Sequence, residues 1–222
     1  MRDLSLKGIA RRYRGRGQSF TVIGDVLNQS SVSGSVSLRA RLEALAREEH
    51  AWEMTDRAQC DCDDCRFGWT ASFRQTWTHL LVLIRLNPDA GITQATMNNC
   101  MTTWLNGIVN TWNHKWGCYH ENELVCRFSI EVQWVSNGEH HAVQVTAGGG
   151  RANMGHFFTA NTGRTAAHEC GHMIGHVDEY ADVDCPGRAP TGTGTIMDTG
   201  NTVPSRMMVG YASNIGGDVI GI

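Results

Sequence analysis

The chain has 222 residues, 41% hydrophobic and 18% charged, with a formal net charge of −3. That length and balance predict one globular domain with an N-terminal extension and a sizeable core, and the net charge argues against nucleic acid as the main partner. No run is long and apolar enough to span a bilayer, and the basic start lacks the apolar stretch of a Sec signal. The expectation is either cytoplasmic residence or export by a leaderless route into a periplasm or host.

Residues 2 to 16 carry Arg2, Lys7, Arg11, Arg12, Arg14 and Arg16 against Asp3 alone. A Gly- and Ser-rich stretch around Phe20-Thr21-Val22-Ile23 follows, so 1–37 reads as a basic arm and 38–222 as the domain, with its core at about 78–212. From Leu38 to about Arg57, helical spacing of Leu42, Leu45, Ala46, Ala51 and Trp52 predicts a helix. Cys60, Cys62 and Cys65 form CxCxxC, half of a zinc-knuckle pattern without its second half; metal, disulfides and thiols all stay open there. The apolar run His79 to Leu86, stopped by Asn87-Pro88, predicts a buried strand. Met97, Met101, Trp104, Leu105, Ile108, Val109 and Trp112 share one face and predict a long helix over 93–116.

Two strands are expected at Arg127–Val135 and His141–Thr146, joined as a hairpin by Ser136-Asn137-Gly138. An extended piece, Ala152–Thr159, comes after Gly148-Gly149-Gly150. A helix then runs from Arg164 to Gly175, and after it the chain is irregular until a closing helix at about Pro204–Ala212. Among the eight cysteines, Cys118–Cys126 is the best local disulfide pair and Cys170–Cys185 the next. A disulfide would fit work in an oxidising compartment.

The helix carries the chemistry. His168-Glu169-Cys170-Gly171-His172-Met173-Ile174-Gly175-His176-Val177-Asp178 reads HExxHxxGxxD. One turn apart on a helix, the imidazoles of His168 and His172 face the same way and can hold one metal ion. Glu169 is placed to act as general base. Gly175 permits a sharp turn, after which Asp178 can return as third ligand. His176 and Glu179 are rival ligands, while His140, His141 and His156 lie in segments expected to flank the cleft. The stretch Arg151–Gly155 is expected to line a substrate groove.

His168, Glu169, His172, Gly175 and Asp178, followed by Met197 in the Gly-flanked turn Gly194–Asp198, resemble the metzincin metallopeptidases with Asp as third ligand. The string ending Asp178-Glu179-Tyr180 is also similar to metallopeptidase domains of bacterial secreted effectors and toxins. The resemblance implies an α+β fold: a small mixed sheet, a long helix, the zinc-site helix and an irregular C-terminal subdomain with a Met-turn. It further implies one catalytic Zn2+ over Met197 and a protein or peptide substrate. A cognate inhibitor or immunity protein, or a secretion-machine carrier, would be a further partner. Thr199 stands where some metzincins carry a Tyr two residues after the Met, so Tyr180 and Tyr211 are the remaining candidates for such a role. The expected activity is a zinc endopeptidase; the alternatives are a zinc amidase on cell-wall peptide and an inactive binding module with structural zinc.

Overall fold

A computed structural model describes residues 49–55, 68–76, 78–120, 124–183, 185, 187–188, 190–214 and 217–222. The basic arm and the CxCxxC motif lie outside the described residues. The fold is α+β. Strands β1 (Glu49–Thr55), β2 (Gly68–Thr76) and β3 (His79–Pro88) run antiparallel in sequence. Helix α1 (Gln94–Trp112) follows, and then β4 (Trp116–His120), β5 (Leu124–Arg127), β6 (Ser129–Trp134), β7 (His141–Thr146) and β8 (His156–Phe158). Helix α2 (Gly163–Met173) carries the HExxH residues. A 3-10 turn (Ser205–Met208), helix α3 (Val209–Asn214) and β9 (Asp218–Gly221) close the chain.

In the main sheet β2 and then β7 pair along one edge of β3 and β6 pairs along the other, with β1 beyond β2 and β8 beyond β7. Strand β6 pairs parallel with His79–Ile84 of β3, and β7 pairs parallel with Ile84–Pro88 of the same strand. The hairpin expected at Ser136-Asn137-Gly138 is therefore absent. The segment loops out and comes back to the same neighbour, with Val135 N–H donating to Ile84 O (2.9 Å) and His140 N–H to Leu83 O (2.8 Å). Burial of β3 favoured this: Leu80, Val82 and Ile84 are at most 1% exposed, and a central buried strand draws partners along its whole length. Three antiparallel strands, β5-β4-β9, form a second sheet.

Two further expectations need correction. Glu49–Thr55, inside the segment expected to be helical, is strand β1, laddered residue by residue against Gly68–Arg74 of β2. Strand pairing overrides a weak helical period. The disulfide candidates also fail. Cys118 and Cys126 are register partners across β4 and β5, but Cys118 carries a thiol. Cys170 is likewise a buried thiol, whereas Cys185 is disulfide-bonded. Cys170 sits on the core face of α2, and burial pushes its pKa up to about 12.

Helix α1 is the platform for α2. Met97, Cys100, Trp104, Ile108 and Trp112 make its buried face, and Thr93 caps its start by accepting the Thr96 N–H (3.1 Å). The helix ends at Trp112, four residues short of the expected bound, where His114 takes φ +56°. Trp112 Nε1 donates to Ala167 O on α2 (2.9 Å), and Trp104 Nε1 donates to Asn161 O just before it (3.0 Å). The helices cross where Gly107 meets Gly163, so closely that a Cβ on Gly107 would overlap the Gly163 backbone.

This crossing is testable. Alanine at an ordinary helical Gly gains about 0.5–1 kcal/mol, but overpacking costs about 1–3 kcal/mol, and backbone yields least. Gly107→Ala should lower the melting temperature, by about 2–4 °C per kcal/mol of net loss at this size. An unchanged or raised Tm would contradict the close crossing.

Candidate metal centre

Thr162 caps α2 by accepting the Thr165 N–H (3.2 Å). Ala166, Ala167, Cys170 and Met173 bury one face in the core, which turns His168 and His172 towards the cleft. Their rings lie 5.0 Å apart, nearly perpendicular.

How α2 ends decides the second imidazole. Gly175 takes φ +99°. Its N–H donates to His172 O (3.1 Å), and the His176 N–H donates to Gly171 O (2.9 Å). This is a Schellman closure, which needs a residue tolerant of the left-handed region. The chain so turned presents His176 O to His172 Nδ1 at 2.8 Å. His168 Nδ1 meets Ile196 O at 2.8 Å, and Ile196 sits in the turn that carries Met197. A carbonyl only accepts, so each imidazole holds its proton on Nδ1 and, when neutral, a bare lone pair on Nε2.

Asp178 completes the cluster. Its Oδ1 lies 3.0 Å from His168 Nε2 and 3.2 Å from His172 Nε2, yet this buried oxygen accepts a hydrogen bond from neither. With both Nδ1 protons committed, three acceptors point at one another, which calls for a cation between them. Tetrahedral zinc with bonds of about 2.0–2.2 Å sets neighbouring ligand atoms roughly 3.3 Å apart, close to what these residues show. The residues fit the metal. The ligand atoms of His168, Glu169 and His172 also fall within 4.8 Å of one another, a group that could hold a metal ion. Burial alone would raise the Asp178 carboxyl, but the adjoining imidazoles hold it far below the usual range. Burial lowers the His172 imidazole, and the Asp178 carboxylate more than reverses that. Glu169 is 5% exposed, and burial raises its pKa against the opposing pull of the two His.

Met197 is fully buried beneath α2, and its Sδ packs on Gly171 so tightly that a Cβ there would overlap it. Glu179 points away from the metal cluster: its Oε2 accepts from Thr193 (2.6 Å), Thr195 (2.7 Å) and Arg206 (2.6 Å), while its N–H donates to Met197 O (2.7 Å). It is a strut between the segment carrying Asp178 and the Met-bearing turn. The His176 ring stacks on Trp112 (5.2 Å, 7°) and meets Tyr211 OH at 3.0 Å, so it turns into the core. Tyr211 is 1% exposed and its hydroxyl donates to Ile174 O (2.6 Å), which removes it from the cleft. Tyr180 does line the cleft, its ring 6.3 Å from His168 and its hydroxyl accepting from Arg151 Nη2 (3.0 Å).

His141 holds Ser72 O at 2.9 Å, His140 Nδ1 accepts from Leu83 N–H (3.1 Å), and His156 meets the Thr146 hydroxyl (2.9 Å). None of the three lines the cleft. Two hollows of about 620 and 390 Å3 adjoin at His168 and Glu169 and share Arg151, Ala152, Tyr180 and Asp182. Sequence reasoning missed Trp69, whose Nε1 donates to His172 O (3.0 Å) and whose ring meets the His172 ring edge-on at 5.2 Å. It also missed Asp182 and Arg188. No spacing marks these residues, since Trp69 arrives from β2 and Asp182 and Arg188 from an irregular loop.

Burial holds His176 neutral, with a pKa lowered from 6.5 to about 3. Between those values the unfolded chain binds a proton that the folded one refuses, so His176 costs stability as pH falls from about 6.5 towards 3, by up to about 1.4 kcal/mol per pH unit. Chemical denaturation of the chelator-treated protein across this range should show a shallower acid slope for His176→Phe than for wild type. Identical slopes would refute the buried neutral state. No protein family, curated protein or solved structure matches this chain.

Proposed function

We propose that the protein is a zinc-dependent endopeptidase whose metal is held by His168, His172 and Asp178, with Glu169 as general base. The observation carrying this reading is the convergence of two Nε2 atoms and Asp178 Oδ1, with both Nδ1 protons already committed to carbonyls. Zinc bound there would supply Lewis acidity, polarising the scissile carbonyl and acidifying water. The chain's own residues do the rest. Glu169 accepts a proton from the attacking water and passes it to the leaving amine, and its burial suits a carboxylate that must keep a proton briefly. Tyr180 and Arg151, side by side on the cleft wall, are placed to meet substrate carbonyls. Met197 under Gly171 and Ile196 O behind His168 hold the ligand helix and the first imidazole in register.

The metzincin resemblance is supported by the element order and by the turn beneath α2 that bears Met197. The disulfide at Cys185 favours work in an oxidising compartment, as for an exported effector. Among the described residues, no helix is long and apolar enough to cross a membrane. An inactive zinc module has no use for Glu169 and would close the metal's fourth position. A cell-wall amidase shares this whole constellation, and the assay separates it.

Purified protein is expected to contain one zinc and to digest casein, with loss on chelation. Glu169→Gln should keep fold and zinc while losing about 10²–10⁴-fold in rate. His172→Ala should lose the metal. Full activity in Glu169→Gln, or unchanged zinc in His172→Ala, would overturn the assignment. Cleavage of peptidoglycan peptides with no action on casein would move the substrate to the cell wall.

A further inference from the structure

Ten residues beyond Asp178, in a loop with little regular structure, the chain buries a cation. The Arg188 side chain is 1% exposed. Its Nη1 lies 3.8 Å from Asp178 Oδ2 and 3.8 Å from Asp182 Oδ2, and donates to Tyr180 O (3.1 Å). Its guanidinium packs over the Tyr180 ring, 4.9 Å from the centroid. The loop that delivers it is closed locally: Cys185 N–H donates to Asp182 O (3.1 Å), Arg188 N–H donates to Cys185 O (3.0 Å), and Cys185 is pinned by its disulfide.

A buried guanidinium is costly to desolvate, and it is kept only beside compensating charge and hydrogen bonds. Here the compensating charge includes the Asp178 carboxylate itself, together with Asp182. The two Asp178 oxygens are divided between unlike neighbours: Oδ1 faces His168 and His172, and Oδ2 faces Arg188. A carboxylate left alone beside a dication can turn to offer both oxygens. We infer that Arg188 is a positioning residue of the metal centre, holding Asp178 by Oδ2 so that Oδ1 alone is presented to the metal. It also fixes the wall of the cleft, because the same guanidinium grips both the carbonyl and the ring of Tyr180. Groups that orient a metal ligand typically contribute tenfold to a hundredfold in affinity. This inference rests on the zinc reading of His168, His172 and Asp178.

The test compares wild type, Arg188→Met, Arg188→Lys, Asp182→Asn and the double variant Arg188→Met/Asp182→Asn. Three quantities are read on oxidised protein: the zinc dissociation constant by chelator competition, the visible spectrum of the cobalt-loaded form, and the Tm of the metal-free form. Arg188→Met should bind zinc about 10–100-fold more weakly, and its cobalt bands should weaken as Asp178 turns to offer both oxygens. Arg188→Lys should recover part of the affinity. Asp182→Asn, which removes a carboxylate at Arg188 other than that of Asp178, should change zinc affinity far less. If Arg188→Met fails to fold, the double variant gives the answer, since it removes the buried arginine together with one of the carboxylates beside it.

Wild-type zinc affinity and an unchanged cobalt spectrum in folded Arg188→Met or in the double variant would overturn the inference while leaving the metal site standing. Equal loss of zinc affinity in Asp182→Asn and Arg188→Met would also overturn it, since that reports general damage to the loop. Failure of the wild type to bind zinc or cobalt would instead bring down the metal reading, and this inference with it.

Discussion

Everything at the cleft depends on two hydrogen bonds that spend the Nδ1 protons of His168 and His172 on backbone carbonyls. With those protons committed, both Nε2 atoms of the neutral imidazoles carry lone pairs, and the buried Asp178 Oδ1 adds a further acceptor between them. Such a cluster is unstable by itself in a low-dielectric surrounding and is relieved by a cation. The carbonyls that impose this state come from different places. Ile196 O is in the turn bearing Met197, and His176 O is in the Schellman turn closing α2. The capacity of this group to hold a metal ion is thus set partly by the backbone.

The rest of the molecule keeps that arrangement rigid. Helix α2 is held from below by Trp112, which donates to Ala167 O, and by the contact of Gly107 with Gly163. Met197 fills the space over Gly171, where a side chain would collide with it. These contacts put small residues where backbones approach and large ones where a floor is needed, as close-packed interiors require. Glu179 links the segment after Asp178 to Arg206 and to the Met197 turn. His176 contributes twice: its carbonyl orients His172, while its neutral ring stacks on Trp112 and meets Tyr211.

Charge in the cleft is partitioned. Asp178 and Asp182 share the buried Arg188, Arg151 lies exposed beside Tyr180, and Glu169 is left next to the ligand cluster with a raised pKa. Among the described residues, the Glu169 carboxylate, proposed as base, has no ion pair with an Arg or Lys within 4.0 Å. Trp69 closes one side of this cleft and donates to the carbonyl of His172, tying β2 to the helix that carries the ligands.

The sequence by itself determined the local chemistry. HExxH spacing places His168 and His172 on one helical face, Gly175 marks the stop, and the apolar stripe from Met97 to Trp112 announces α1, because these signals reside in residues within a turn or two of one another. The buried strand at His79–Leu86 was legible for the same reason. Only the tertiary structure decided the rest. Whether Ser136-Asn137-Gly138 made a hairpin depended on β3 offering one edge to β6 and the other to β7. Whether Glu49–Thr55 became strand depended on β2. The tautomers of the imidazoles, the rejection of His176 and Glu179 as ligands, and the recruitment of Trp69 and Arg188 all depend on groups far apart in sequence or in irregular chain. No periodicity records such meetings, because they are set by packing and hydrogen-bond completion across the whole fold.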